Sequence, residues 1–189
     1  MDSLHVAHVI VDRDGVLNQE KLEDWIVSRE EWAWERGALE GLAALSGAGI
    51  EISVATNQSC IGRGIAEAAA VDALHAWMRA QALAHGARID RVLVCPHVDE
   101  DRCRCRKPAA GLYLDAIELS GVAPENTLAI GDALRDIEGA RAAHVRTALV
   151  RTGKGRSEEA RCRPLADFVF DDLSDAARCI SGWTEPSSR

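Results

Sequence analysis

The sequence predicts a three-layer α/β protein, in which a parallel β-sheet lies between two layers of helices. Three observations support this prediction. Short apolar runs rich in β-branched residues alternate with longer segments whose apolar residues recur at helical spacing. Acidic residues follow two of the apolar runs directly, in "VIVDRD" (9–14) and "AIGD" (129–132). Because strand–helix alternation builds right-handed βαβ units, we expect the strands to be parallel.

The first half of the chain contains three predicted strands and two predicted helices. Residues 5–11 (HVAHVIV) form an apolar strand, and residues 37–48 have apolar residues at helical spacing. In residues 50–56 (IEISVAT), apolar and polar residues alternate and β-branched side chains are frequent, which predicts a strand. A helix is predicted over 65–85 and a short strand over 91–95 (RVLVC). One face of the 65–85 helix would carry Val71, Leu74, Met78 and Ala82.

The second half continues the alternation. Residues 109–120 follow Pro108 and suit a helix, and residues 127–132 (TLAIGD) form a strand that ends in Gly-Asp. A helix is predicted over 134–143. The remaining predicted elements are two strands and a helix: 147–151, 167–170 and 172–181.

Length and charge limit the class of protein. The 189 residues predict one domain over residues 1–189, and the formal net charge of −8 argues against non-specific nucleic-acid binding. The N-terminal residues lack the pattern of a secretory signal, and no apolar run approaches the roughly 20 residues that span a bilayer. We therefore expect a cytoplasmic protein that binds neither nucleic acid nor membrane. Since no interface stripe is evident, a monomer is expected.

Polar side chains follow the predicted strands at the point where each strand ends. In a parallel sheet, ligands bind beyond the carboxyl ends of the strands, so these side chains should meet at one edge. In chain order they are Asp12 and Asp14, Thr56, Asn57, Gln58 and Ser59, Cys95 and His97, Asp132 and Asp136, and Arg151 and Lys154.

Three carboxylates at this edge would repel one another without a cation. The oxygen ligands of Asp12, Asp14 and Asp132 suit Mg²⁺. A magnesium site with nearby hydroxyl, amide and lysine donors can hold a phosphate. A carboxylate beside it can attack phosphorus, and a second can transfer protons, so Asp12 and Asp14 would divide these roles.

A second group of residues has the spacing of a zinc site. In "CPHVDEDRCRCRKP" (95–108), two pairs of ligand residues are separated by five residues. Three thiolates and one imidazole suit tetrahedral Zn²⁺ and leave no open position, which predicts a structural metal. The four predicted ligands are Cys95, His97, Cys103 and Cys105. The loop leads directly into Arg106 and Lys107, so the metal would position those side chains.

Four motifs carry a resemblance to a known family. They are "DRDGV" (12–16), "TNQS" (56–59), "RKP" (106–108) and "GDALRD" (131–136). In order and spacing they resemble the haloacid dehalogenase superfamily of phosphohydrolases, over about residues 5–155. The resemblance implies a Rossmann-like fold without a large cap domain, with Asp12 as nucleophile and Asp14 as general acid and base. It also implies that Asp14 reaches Mg²⁺ through its backbone carbonyl.

The resemblance also implies roles for the other motif residues. Lys107 would neutralise the phosphate and the nucleophile, Asp132 would bind Mg²⁺, and Asp136 would orient Lys107 or a metal-bound water. The residues expected to bind substrate are Thr56, Asn57, Gln58, Ser59, Arg106 and Lys107.

The zinc loop narrows the resemblance to the group that contains heptose-bisphosphate and histidinol-phosphate phosphatases. "TNQSCIGRG" (56–64) and "LVRTGKG" (149–155) are more similar to the heptose enzymes, which implies a phosphorylated sugar as substrate. Two alternatives remain open at this point. One is a histidinol-phosphate phosphatase, and the other is a non-catalytic phosphate-binding or zinc-scaffold protein on the same fold.

The sequence departs from that group at several positions. Cys60 stands where the group has glycine, and Ala133 stands where it has lysine or serine. Residues 19–36, the expected specificity loop, match poorly. The loop contains Trp25, Trp32 and Trp34, which are expected either to pack in the core or to line the substrate pocket. Two basic residues are expected either to meet a distal phosphate or to be solvated: Arg63 and Lys154.

Overall fold

The computed structural model describes residues 5–21 and 24–183. Within these residues there are six strands: β1 (His8–Val11), β2 (Glu51–Asn57), β3 (Arg91–Cys95), β4 (Thr127–Gly131), β5 (Arg146–Val150) and β6 (Phe168–Phe170). The same residues contain seven α-helices: α1 (Ala38–Gly47), α2 (Ser59–Gly62), α3 (Ala68–Ala84), α4 (Gly111–Ser120), α5 (Leu134–Ala142), α6 (Gly155–Cys162) and α7 (Leu173–Trp183). No helix in these ranges is long and apolar enough to cross a membrane.

The six strands of the described residues form one parallel sheet in the order β3-β2-β1-β4-β5-β6. The predicted parallel α/β fold is therefore confirmed. The strand order reverses between β1 and β4, which is where ligands bind in open parallel sheets. Val11 at the end of β1 is level with Val54 of β2 and Ile130 of β4. This register brings Asp12, Thr56 and Asp132 to the same edge.

Helices cover both faces of the sheet, because successive strand residues point to opposite sides. Val9 and Val11 belong to a core cluster that also contains residues of α1, α3 and α7. Ile10, between them, belongs to a second cluster with residues of α4 and α5. A smaller cluster joins α5, β5 and α6. The sheet is thus buried on both faces, and its polar residues are concentrated at its carboxyl edge.

The main difference from the predicted elements is α6, which was not expected. Its sequence, GRSEEARC, is polar, and of its residues the helix buries Gly155 and Cys162. It therefore lacks the apolar periodicity on which helix prediction depends. The short helix α2 was also not predicted. It occupies one turn directly after β2, where Thr56–Ser59 were expected to reach the site.

Candidate active site

Lys107 lies at the centre of the predicted site and is buried. Its Nζ is 2.8 Å from Oδ1 of Asp12 and 2.6 Å from Oδ1 of Asp136, and it donates a hydrogen bond to the Ala55 carbonyl at 2.9 Å. Burial alone would lower the pKa of Lys107, but the charges of Asp12 and Asp136 outweigh it and raise the pKa. The ammonium is therefore charged and directed at the predicted nucleophile. Asp136 lies where a residue orienting Lys107 was expected.

Three carboxylates meet at this edge: Asp12, Asp132 and Asp136. Each offers an oxygen within 4.8 Å of the others, and all three residues are buried. Oδ2 of Asp132 accepts a hydrogen bond from the Lys154 backbone N–H at 2.8 Å. Oδ1 of Asp132 is buried and has no hydrogen-bond partner among the described residues. Burial is the main cause that raises the pKa of Asp132 well above its usual value, and the charges of Asp136 and Asp12 raise it further.

A buried carboxylate oxygen without a partner, beside two further carboxylates, is costly unless a cation is present. Oxygen ligands at this spacing fit a hard divalent ion such as Mg²⁺. The donor set around Asp132 therefore fits the predicted metal.

The two oxygens of Asp12 have different surroundings. Oδ1 accepts a hydrogen bond from the Arg13 backbone N–H at 2.7 Å and forms an ion pair with Lys107 at 2.8 Å. Oδ2 is approached by Nη2 of Arg135 at 3.8 Å. Burial raises the pKa of Asp12 to about 6, although the charge of Lys107 works in the opposite direction. Asp12 is thus mostly ionised at neutral pH, as a nucleophile must be.

The Asp14 carboxylate does not join the other three. It accepts hydrogen bonds from Arg13 Nη2 at 2.8 Å, from Asn18 Nδ2 at 2.9 Å and from Gln58 Nε2 at 2.8 Å. We expected the side chains of Asp12, Asp14 and Asp132 to come together. In the structure, the carboxylate that joins Asp12 and Asp132 is that of Asp136 and not that of Asp14. A metal contact through the Asp14 backbone carbonyl stays a prediction.

The physical reason is a turn in the chain. Val16, Leu17 and Asn18 each donate a backbone hydrogen bond to the Arg13 carbonyl, so the extended geometry of β1 ends before Asp14. Burial alone would raise the pKa of Asp14, but the charge and hydrogen bonds of Arg13 outweigh it and lower the pKa. The carboxylate is therefore ionised in this arrangement.

Arg13 is completely buried and was not among the residues predicted from the sequence. Besides Asp14, it contacts Nε2 of His75 on α3 at 3.2 Å and donates to the Ile26 carbonyl at 3.1 Å. Its guanidinium lies 5.8 Å from the ring centroid of Trp32. A single arginine thus connects the general acid candidate with the specificity loop. The available signal was a charged residue between two aspartates at the end of a buried strand.

The side chains after β2 mostly hold other site residues. Asn57 brackets the backbone of Lys107, accepting from its N–H and donating to its carbonyl, both at 3.1 Å. Gln58 donates to Asp14 and to the Thr56 hydroxyl, each at 2.8 Å. Thr56 and Gln58 are buried, whereas Asn57 and Ser59 also line the neighbouring cavity. Substrate binding by these four residues stays a prediction.

A polar cavity of about 160 Å³ lies beside these residues. Its lining comes from the segments that follow β1, β2 and β4, from the specificity loop and from the zinc loop: Arg13, Asp14, Glu20, Lys21, Asp24, Trp25, Ile26, Asn57, Ser59, Arg106 and Arg135. Arg106 also pairs with Asp99 and donates to the His97 carbonyl at 3.3 Å. The lining has four cationic and three acidic residues, so its small excess of positive charge is compatible with an anionic ligand.

The structure separates the alternatives for the specificity-loop tryptophans. Trp25 lines the cavity, and the Arg63 guanidinium lies 5.9 Å from its ring centroid. Trp32 and Trp34 pack against the core, with their ring centroids 5.2 Å apart. Residues 22 and 23 of this loop lie outside the described residues.

The departures from the family pattern have structural explanations. Cys60 is buried within α2, and burial raises the pKa of its thiol. Ala133 is also buried, directly before α5. Lys154 forms an ion pair with Glu20, so its ammonium is already engaged. Arg151 pairs with Glu159 and Asp171, which accounts for it without a role in the site.

The predicted zinc ligands come together. The sulfurs of Cys95, Cys103 and Cys105 are 3.3–3.7 Å from one another, and Nδ1 of His97 is 3.3 Å from Cys105 Sγ. A tetrahedral Zn²⁺ with Zn–S bonds of about 2.3 Å would separate its sulfurs by about 3.7 Å. All three cysteines are free thiols. The donor set therefore fits Zn²⁺ with no position left open.

This combination of fold and site defines a class of protein. A parallel sheet that brings a charged lysine and three buried carboxylates able to hold a cation to its switch point has the kind of site found in phosphohydrolases.

Comparisons with known proteins agree. A sequence model of the family described as HAD-hydrolase-like matches residues 104–176. D-glycero-beta-D-manno-heptose-1,7-bisphosphate 7-phosphatase of Pseudomonas aeruginosa is 37% identical over 172 residues, which cover 91% of this chain and 96% of that protein. D-glycero-alpha-D-manno-heptose-1,7-bisphosphate 7-phosphatase of Mycobacterium tuberculosis is 34% identical over 183 residues, covering 93% and 92%.

A solved structure is similar over nearly the whole chain. D,D-heptose 1.7-bisphosphate phosphatase from B. bronchiseptica, complexed with magnesium and phosphate, has a TM-score of 0.87 and 35% identity, covering 93% of this chain and 98% of that one. The chain belongs to the D-glycero-D-manno-heptose-1,7-bisphosphate 7-phosphatase family of HAD-like hydrolases, and it is a phosphatase.

Proposed function

We propose that this phosphatase removes the 7-phosphate of D-glycero-D-manno-heptose 1,7-bisphosphate through an aspartyl phosphate on Asp12. The observation that carries the proposal is the buried, charged Lys107, which pairs with Asp12 and Asp136 beside the unpartnered oxygen of Asp132. Such a site attracts a phosphoryl group and balances its charge. The identity with the heptose-bisphosphate phosphatases supports the choice of substrate.

Asp12 and Asp132 would hold Mg²⁺ with their carboxylates, and Asp14 would hold it with its backbone carbonyl. When bound, the ion supplies positive charge to the carboxylates and to the phosphoryl oxygens. Lys107 keeps Asp12 oriented and ionised, because its ammonium is fixed by Asp136 and by the Ala55 carbonyl.

In the first step, an oxygen of Asp12 forms a bond to phosphorus as the bond from phosphorus to the sugar oxygen breaks. Asp14 gives its proton to the departing oxygen. Arg13 lowers the pKa of Asp14, whereas a phosphate brought against Asp14 would act in the opposite direction. Substrate binding would thus favour the protonated form that this step requires.

In the second step, a water molecule gives a proton to Asp14, and its oxygen bonds to phosphorus. The bond between phosphorus and Asp12 breaks, which releases inorganic phosphate and restores the carboxylate. Asp14 holds this proton until phosphate leaves and then releases it to solvent, because Arg13 lowers its pKa in the free enzyme.

The four zinc-loop residues Cys95, His97, Cys103 and Cys105 would hold Zn²⁺ in a closed structural site. The loop ends at Arg106 and Lys107, so this metal would fix catalytic side chains without contacting substrate. Because thiolate ligands persist in a reducing compartment, we place the protein in the cytoplasm, and we expect a monomer in gel filtration with light scattering.

Phosphate release from a panel of substrates in MgCl₂ tests the function. The panel contains both anomers of the heptose bisphosphate, histidinol phosphate and p-nitrophenyl phosphate. We expect fastest turnover of a heptose bisphosphate, loss of turnover in Asp12→Asn, and parent activity in Asp115→Asn, which alters an aspartate paired with the exposed Arg104.

Three results would overturn this proposal. Faster turnover of histidinol phosphate would replace the substrate. An Asp12→Asn variant as active as the parent would remove the nucleophile. A protein that binds phosphate but releases none from any substrate in MgCl₂ would be a binding protein on this fold.

A further inference from the structure

Arg135 occupies a position in the site that no predicted role explains. It lies in the first turn of α5, between Asp132 and Asp136, and its side chain lines the polar cavity. Its Nη2 faces Oδ2 of Asp12, whereas Lys107 faces Oδ1. The two oxygens of the nucleophile are therefore each approached by a different cation.

The guanidinium of Arg135 has hydrogen-bond donors that the protein does not use. Its Nε is buried and has no hydrogen-bond partner among the described residues. The distance of 3.8 Å from Nη2 to Asp12 is too long for a hydrogen bond. A buried arginine donor without an acceptor is costly, and a guanidinium matches the oxygens of a phosphoryl group. These donors therefore need an anionic ligand.

We propose that Arg135 is a catalytic residue that donates hydrogen bonds to the oxygens of the phosphoryl group as it transfers to and from Asp12. This inference rests on the phosphatase chemistry proposed above. Because Nη2 of Arg135 is 3.8 Å from Asp12, an oxygen of a phosphoryl group attached to Asp12 lies within hydrogen-bond distance of the guanidinium. Arg135 and Lys107 then hold the group from two sides. Arg135 exchanges no proton or electron in either step, so its contribution is charge stabilisation.

The rival explanation is that Arg135 only balances the charges of Asp12, Asp132 and Asp136. Such a role predicts close ion pairs with these carboxylates, as Lys107 makes at 2.6–2.8 Å. Among the described residues, the only ion pair of Arg135 is the 3.8 Å approach to Asp12. About a third of the Arg135 side chain is also exposed toward the cavity side of the site. Both observations favour contact with a ligand.

The test replaces Arg135 by methionine and by lysine, and uses Arg141→Met as the matched control. Arg141 lies on the same helix, and it is exposed and bonded to the Leu165 carbonyl. Two quantities are measured with MgCl₂ present: the Kd of inorganic phosphate by calorimetry, and kcat for p-nitrophenyl phosphate. We expect Arg135→Met to lower kcat by about 10²-fold or more and to weaken phosphate binding. Arg135→Lys should recover part of both, guanidinium chloride should partly rescue Arg135→Met, and Arg141→Met should match the parent.

A Kd for phosphate and a kcat that stay within about twofold of the parent in Arg135→Met would overturn the inference. The same holds if only the melting temperature or the Mg²⁺ requirement changes, because that pattern belongs to charge balance. The two proposals fail separately. A parent that hydrolyses p-nitrophenyl phosphate but not heptose bisphosphate loses the proposed substrate, and the Arg135 comparison still applies.

Discussion

Two glycines fix the side chain of Asp132. Gly15 (φ +85°) follows the Asp-x-Asp motif, and Gly153 (φ +51°) follows β5. A Cβ atom on either glycine would lie 2.1 Å from Oδ2 of Asp132. Each position therefore requires glycine both for its backbone conformation and for the close approach of the carboxylate. The two glycines thereby leave the space that the Asp132 carboxylate occupies.

Replacing Gly15 by alanine should lower both the stability of the protein and its affinity for Mg²⁺. The positive φ costs on the order of 1–2 kcal/mol of stability for any residue with a Cβ atom. At Gly15 the Cβ atom also displaces Asp132, so we expect the half-saturating Mg²⁺ concentration to rise and kcat to fall by about 10-fold or more. Activity as a function of MgCl₂, together with urea unfolding, measures both effects.

Gly49→Ala is the matched control for this comparison. Gly49 has a similar φ of +75°, and its Cβ atom would meet nothing within 4 Å. The control should lose comparable stability and keep the Mg²⁺ dependence of the parent. Equal Mg²⁺ dependence in both variants would mean that the position of Asp132 does not depend on Gly15.

Individual site residues could be predicted only where a motif marks them. Asp12 and Asp132 directly follow strands, Lys107 lies in the "RKP" motif after the zinc loop, and the structure brings the three residues together. Arg13 and Arg135 lie within the same motifs, but their contacts depend on side-chain direction over long sequence separations. Arg13, for example, reaches His75, which is 62 residues away. Sequence spacing carries no information about such a contact.

At the scale of elements, the zinc loop would connect a structural metal to Lys107, for which we propose a catalytic role. It is held on two sides: the Gly62 N–H of α2 donates to the Pro96 carbonyl at 2.9 Å, and the Gly111 N–H of α4 donates to the Arg104 carbonyl at 3.0 Å. The loop has few apolar residues, so the four metal ligands supply most of its internal order. The backbone of Lys107 is then fixed by Asn57.

Removal of one zinc ligand should therefore reduce activity by disordering the loop that ends at Arg106 and Lys107. We expect Cys105→Ser to lose zinc and to lower kcat by on the order of 10-fold or more, because Lys107 is no longer held against Asp12. Metal analysis, kcat, and hydrogen exchange over residues 95–108 measure the three consequences. Cys179→Ser, at an exposed cysteine of α7, is the control. A zinc-free Cys105→Ser protein with parent activity and parent exchange would contradict a structural role for the metal.

The regular elements were predictable because the apolar pattern follows the sheet. Strand 91–95 has the predicted bounds, and helices α1 and α5 agree within a residue or two. The exception is α6, which packs a single buried cysteine and a glycine against the sheet and presents polar residues elsewhere. Its helical state comes from local propensity and from contact with β5 and α5, which a periodicity search does not detect.

At the scale of the whole molecule, charge is distributed unevenly. The net charge is −8, whereas the cavity lining has a small excess of cationic residues: Arg13, Lys21, Arg106 and Arg135 against Asp14, Glu20 and Asp24. The acidic net charge opposes binding to nucleic acid, while the local excess of positive charge is compatible with a small anion. That the chain forms one domain stays a prediction, which a single cooperative urea transition would support.

Stability should fall on acidification, partly because of His8. Its Nε2 is 2.8 Å from the Ser53 hydroxyl inside the sheet, at the end of β1 opposite Asp12. Burial, aided by the Arg91 charge, lowers the pKa of His8 to about 4 from 6.5. Between pH 4 and pH 6.5, the His8 imidazole is therefore protonated in the unfolded chain but neutral in the folded protein. The contribution of His8 to the free energy of unfolding is complete above pH 6.5 and is lost as pH falls toward 4. Between pH 8 and pH 5 the loss is about 2 kcal/mol.

The measurement compares the free energy of unfolding in urea at pH 8 and at pH 5 for the parent and for His8→Gln, which keeps a polar group near Ser53 but does not titrate. The difference between the two proteins isolates His8, because Asp12, whose raised pKa of about 6 acts in the opposite direction, is common to both. We expect His8→Gln to lose less stability on acidification than the parent, by about 2 kcal/mol. His85→Gln, at an exposed position after α3, should behave as the parent does. Parallel pH profiles for the parent and His8→Gln would show that the buried imidazole takes up its proton as readily in the folded protein as in the unfolded chain, and that acid sensitivity arises elsewhere.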